Sequence, residues 1–83
     1  MSDTFNLSRL RWRCRRGMKE LDVLLTRYLD RAWESAPTLE RETFLKLLEM
    51  DDPDLYALMV NRTQSADKDI AALVQRIQAL PPY

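Results

Sequence analysis

Five arginines fall within the eight residues Arg9-Leu10-Arg11-Trp12-Arg13-Cys14-Arg15-Arg16, with a tryptophan interleaved. Guanidinium groups grip phosphates bidentately and an indole can stack on a base, so composition alone points to nucleic acid. Spacing argues against it, because at about 100° per residue alternate arginines spread around a helix and line no single face. The same run also reads as a solvated helix end, with cations near the negative pole of the helix dipole. Directly after it comes Arg16-Gly17-x-x-Glu20. A residue without Cβ lets another backbone approach closely, and an arginine and a glutamate on either side present opposite charges for recognition. A third constellation is acidic, Glu49, Asp51, Asp52 and Asp54. Its carboxylates suggest a cation, but the Asp-Pro step explains them as a helix start and the ligand spacing of an EF-hand loop is missing.

Other chemistry is excluded by what the chain lacks. It has no histidine, one cysteine and one glycine. That leaves no histidine-activated nucleophile, no Cys/His zinc set and no Gly-rich phosphate or dinucleotide loop. Cys14 reads as a small buried apolar residue, although neighbouring arginines could lower a thiol pKa and keep a redox role open. No catalytic residue, no metal ligand and no cofactor-binding motif of its own is therefore expected, and the chain is not expected to be an enzyme.

Net charge is zero over 83 residues. Residues 1 to 20 nevertheless carry +4 and the remaining 63 carry −4, so a basic front precedes an acidic body that would repel a polyanion. No apolar run approaches the roughly 20 residues that span a bilayer, and Met1 to Asn6 holds no secretory h-region. Cytoplasmic localisation and no membrane insertion are the expectations.

The elements that must position these residues are helices. With 46% hydrophobic residues, one glycine and four prolines, the chain lacks the turn punctuation of a sheet and predicts an all-α fold. The expected architecture is a small single-domain bundle of about five short helices over residues 1–83, with 1–6 and 81–83 as flexible ends. The first helix is expected over about Leu7 to Arg16, capped by Asn6 or Ser8 and stopped at Gly17, with Leu7, Leu10 and Cys14 inward. The second, about Met18 to Trp33, turns Met18, Leu21, Leu25, Tyr28 and Ala32 to the core. A third, about Leu39 to Met50 and capped by Thr38, buries Phe44, Leu47 and Leu48. The fourth starts with Asp52 as N-cap, Pro53 at N1 and Asp54 in the first turn, and turns Leu55, Leu58 and Met59 inward. Ser65 caps a fifth helix carrying Ile70, Leu73, Val74 and Ile77. Trp12 and Trp33 are both expected to pack at the core or its edge.

Arg15-Arg16-Gly17-Met18-Lys19-Glu20-Leu21-Asp22, followed about thirty residues later by Leu47-Leu48-Glu49-Met50-Asp51-Asp52-Pro53-Asp54-Leu55, resembles the bacterial succinate dehydrogenase assembly factors, the flavinylation factors. The resemblance extends from about Leu7 to about Leu80. It implies a small five-helix protein that binds the flavoprotein subunit of succinate dehydrogenase, and in some bacteria of fumarate reductase, and promotes covalent attachment of FAD to a histidine there. The family's RGxxE signature falls on Arg16, Gly17 and Glu20, and its second acidic element on Asp51, Asp52, Pro53 and Asp54. Many relatives carry Trp where this chain has Leu58, and a Gly and a Pro where it has Thr63 and Ser65, which leaves the turn between the last two helices open.

On that resemblance the partner-contact residues are Arg16, Gly17, Glu20, Arg15, Asp51, Asp52 and Asp54, with Arg11, Arg13 and Arg15 assisting encounter. A chain without histidine cannot itself be a histidyl-flavin acceptor, so its action is expected to be indirect, a positioning of the partner's own groups. The competing expectation is a small arginine-rich nucleic-acid-binding protein using Arg9 to Arg16.

Overall fold

The computed structural model describes residues 7–81, and the expectations for Asn6, for the N-terminal end and for residues 82–83 lie outside that range. Five helices follow in order, α1 (Leu7–Arg13), α2 (Lys19–Arg31), α3 (Thr38–Leu48), α4 (Asp52–Met59) and α5 (Lys68–Ala79). Helix α5 packs against α2, α3 and α4, and α1 lies on α2. The period-3.6 stripes meet in one core, in which Leu21, Leu25, Tyr28, Phe44, Leu47, Leu55 and Ile77 are fully enclosed. Leu7 departs from its expected place and is exposed.

The centre of the core is aromatic. Tyr28 stacks on Phe44 at 4.6 Å between ring centroids, and Trp33 meets Phe44 edge-on at 5.9 Å. The buried Tyr28 ring leads its hydroxyl to Glu40, to which it donates at 2.6 Å, and Arg76 reaches the same carboxylate at 3.2 Å. One acid thereby ties α2, α3 and α5 together. Trp12 does not share this environment. It is 72% exposed, because Leu10 of α1 and Cys14 just beyond its end take the inward positions and the indole between them points away.

Boundaries and caps differ from the sequence reading in instructive ways. Helix α1 ends at Arg13, ahead of the expected Arg16, and Gly17 is not its immediate stop. Gly17 sits in the connection to α2, where it takes φ +86. The residue before α4 is Asp51, so Asp52 and Pro53 become its first two helical residues and the Asp52 side chain is released from capping. Pro37, not Thr38, precedes α3. For α5 the cap is Asp67, whose Oδ1 accepts from the backbone N–H of Asp69 at 2.9 Å and of Ile70 at 3.3 Å, while Ser65 accepts from the Asp67 N–H.

The turn after α4 is closed by a residue other than glycine. Asn61 takes φ 62, the Arg62 N–H donates to Ala57 O at 2.8 Å, and the Asn61 N–H donates to Leu58 O at 3.2 Å. This is a Schellman closure with asparagine in the left-handed position. Gln78 of α5 fastens it by donating to Met59 O at 2.8 Å and to Asn61 Oδ1 at 3.1 Å.

Candidate functional site

The α1–α2 connection is built from both ends. At its start Arg15 N–H donates to Trp12 O at 3.1 Å, the last backbone bond of the α1 end. The next amide, that of Arg16, donates at 2.7 Å to Oδ1 of Asp22, a residue of the first turn of α2. A carboxylate in that turn is favoured by the helix dipole, and here it also captures the incoming chain. Inside the loop that this second bond closes lies Gly17, with positive φ, solvent-exposed, and with open space where a Cβ would stand. The corner is therefore exposed and conformationally specified. A left-handed φ is what selects glycine here, since no neighbour crowds the site.

Arg16 links this corner to the α3–α4 junction, 32 to 36 residues away in sequence. Its Nε donates to Asp52 Oδ1 at 2.5 Å, Nη1 donates to Leu48 O at 2.8 Å, and Nη2 donates to Met50 O. Only 13% of the side chain is exposed, against 36% for Asp52. The last carbonyl of α3 has no partner within the helix, and a guanidinium with its fixed fork of donors satisfies it and the Met50 carbonyl of the connection while pairing with the first residue of α4. The sequence reading expects Arg16 to turn outward to a partner. In the folded chain all three of its nitrogens are bonded internally instead, and Asp52 is engaged with it.

A second tie joins the same regions. The Tyr56 hydroxyl of α4 donates to Glu20 Oε2 of α2 at 3.2 Å, and Glu20 remains exposed. Arg62 lies over the Tyr56 ring at 5.8 Å. Gly17, Glu20, Asp51 and Asp54 are thus among the exposed residues around the junction, with Glu49 and Pro53, whereas Arg16 and Asp52 hold it together. Sequence reasoning missed Asp22 and Tyr56. The signal for Asp22 was its place in the first turn of α2, six residues after Arg16, but which backbone N–H it would capture depends on the path of the corner.

The remaining arginines disperse as the helical spacing predicts. Arg11 pairs with Asp30 of α2 at 2.5 Å, and Arg13 approaches Glu49 at 3.4 Å. Arg15 is exposed, with its guanidinium 5.8 Å from the Trp12 ring centroid. The basic run does not form one phosphate-binding face, and three of its members face carboxylates.

Cys14 is fully enclosed, and burial pushes its thiol up to about 12 despite nearby Arg11 and Arg16. A thiol so placed holds its proton and is a poor nucleophile. Among the described residues no cluster of three or more His, Cys, Asp or Glu is arranged to hold a metal ion, and no helix is long and apolar enough to cross a membrane.

Residues 8–81 match the family model described as flavinator of succinate dehydrogenase. The chain is 42% identical over 81 residues to the FAD assembly factor SdhE of Xylella fastidiosa (strain 9a5c), covering 98% of this chain and 84% of the relative. It is 36% identical over 74 residues to the FAD assembly factor SdhE of Yersinia pseudotuberculosis serotype I (strain IP32953), covering 89% of this chain and 84% of the relative.

Proposed function

The chain belongs to the family of succinate dehydrogenase flavinators, and from that premise we propose that it is an assembly factor that docks on the flavoprotein subunit of succinate dehydrogenase and promotes covalent attachment of FAD to it. The same docking extends to the flavoprotein subunit of fumarate reductase. The action takes place in the cytoplasm, without membrane insertion.

The observation that carries this reading is the Gly17 corner, open to solvent and braced on both sides. Backbone without a Cβ gives a partner close approach, and the bracing means that little ordering entropy is lost when it docks. Glu20 stands beside it with accessible carboxylate, and Asp51 and Asp54 extend the acidic side of the same junction. Arg15 supplies the exposed cation of the signature region, and Arg11 and Arg13 contribute to encounter. Arg16 and Asp52 act one step removed, by fixing the junction.

The factor contributes geometry and no reacting group. It has no histidine, and its one thiol is buried and protonated. The nucleophile and the flavin both belong to the flavoprotein, and the factor holds the loaded subunit in the conformation where they react. FAD needs no site on the factor itself.

Gly17→Arg tests the reading. Gly17→Ala supplies the reference, since it imposes the same left-handed strain of about 1–2 kcal/mol with a minimal side chain. Both variants should retain helical circular dichroism. Gly17→Ala, whose single methyl intrudes only slightly on that approach, should still raise covalent flavin fluorescence of the flavoprotein on a denaturing gel, though less than wild type, and Gly17→Arg should not. Full flavinylation by folded Gly17→Arg refutes the corner as the contact.

A further inference from the structure

Trp12 is the largest apolar side chain left in water, and the docking corner does not use it. It forms one end of a trough between α1 and the outer face of α2. A hollow of about 330 Å³ lined by Arg11, Trp12, Arg15 and Thr26 adjoins one of about 640 Å³, and the two share Arg15 and Thr26. Val23 lies along the larger hollow and is 43% exposed. An indole and a branched aliphatic side chain thus stand at solvent along one channel.

The charges of the trough are unbalanced. Of its two acids, Asp30 is held by Arg11 and Asp22 accepts from the Arg16 amide. Arg15, Arg27 and Arg31 have no carboxylate partner among the described residues. Four arginines, Arg11, Arg15, Arg27 and Arg31, line the trough against the two aspartates, so the field over it is positive. Arg15 is also two residues from Gly17, which makes the trough continuous with the docking corner.

We infer that this trough is a second contact with the same flavoprotein, and that it takes an acidic segment of that subunit with one apolar side chain laid against Trp12 and Val23. The inference rests on the flavoprotein being the partner. The carboxylates of the segment meet Arg15, Arg27 and Arg31, which steer association, and the indole supplies the buried anchor, the residue type most enriched at interface hot spots.

The test uses the full chain and the purified FAD-loaded flavoprotein subunit. Trp12→Ala should weaken binding at least tenfold, and Arg31→Glu several-fold, chiefly by slowing association and less so as salt rises. Lys46→Glu, exposed on α3 outside the trough, should bind as wild type. With 5-fluorotryptophan in the chain, the ¹⁹F resonance lost in Trp12→Ala should shift on addition of unlabelled flavoprotein, while that of buried Trp33 stays put. Wild-type affinity in both trough variants together with an unmoved Trp12 signal overturns the inference, even where Gly17→Arg abolishes binding. The converse, loss of binding in Trp12→Ala with Gly17→Arg unaffected, upholds the trough and refutes the corner. Trp12-dependent binding of a single-stranded oligonucleotide tighter than that of the flavoprotein, or Trp12-dependent dimerisation of the chain, also overturns it.

Discussion

Replacing Arg16 by glutamine removes the brace between the Gly17 corner and the α3–α4 junction while leaving every core side chain in place. The magnitude follows from the bonds lost. Two charge-assisted bonds to the carbonyls of Leu48 and Met50 contribute about 1 kcal/mol each after discounting for partial solvation, and the Asp52 pair about another 1 kcal/mol because Asp52 is one-third exposed. The expected loss is about 3 kcal/mol, a large part of the ~4–12 kcal/mol that a chain of this length commands. For a domain of this size that lowers Tm by about 12–24 °C. Asp52→Asn keeps a carbonyl acceptor and loses the charge, so it should lower Tm by only about 4–8 °C. Thermal melts followed at 222 nm measure both, and the double variant completes a cycle. Because the two side chains act on each other, the double variant should be no less stable than Arg16→Gln by more than ~0.5 kcal/mol. An Arg16→Gln melt within 3 °C of wild type, or strict additivity, refutes the brace.

Two further outcomes follow from particular residues. Cys14 should resist alkylation in the native state at pH 7.5 and react at the rate of unfolding, measurable with a chromogenic disulfide; modification at the speed of a free thiol contradicts its burial. The same raised thiol, from 9.0 to about 12, binds its proton more tightly in the fold than in the unfolded chain. Tyr28 is raised in the same sense by burial and then by the Glu40 hydrogen bond. The stability these groups contribute is fully present below pH 9 and declines as pH rises from there towards 12, so urea midpoints should fall over that interval, and a Cys14→Ala variant should show a smaller fall. At Asn61, glycine relieves the left-handed strain but loses the bond from Gln78, so it should be close to neutral, whereas Asn61→Val should cost about 1–2 kcal/mol in urea unfolding, since a β-branched residue resists φ 62.

The amphipathic stripes were legible residue by residue. Leu21, Leu25, Tyr28, Phe44, Leu47 and Ile77 are all buried as their spacing requires, because period-3.6 burial is a local property that a chain without strand signals states openly. The open corner at Gly17 was legible for the same reason, since a lone glycine between two apolar rods has few other uses. Trp12 and Trp33 show the limit. They are the same residue type, and only the side of its helix that meets a neighbour decides that one is enclosed and the other stands in water.

What the sequence determined alone is the five-helix class, the core stripes, the chemical poverty of a chain without histidine and its kinship, and it set Arg16-Gly17-x-x-Glu20 and Asp51-Asp52-Pro53-Asp54 some thirty residues apart. What the tertiary structure decided is how those two motifs relate. Shifting the α4 cap by one residue, from Asp52 to Asp51, released a carboxylate that Arg16 reaches across 36 residues of chain. Cap position and long-range reach both depend on where α3 ends relative to α2, a matter of packing between elements that no local spacing encodes. For that reason an arginine that reads as a contact folds inward as a brace, and the glycine beside it is what stays open to solvent.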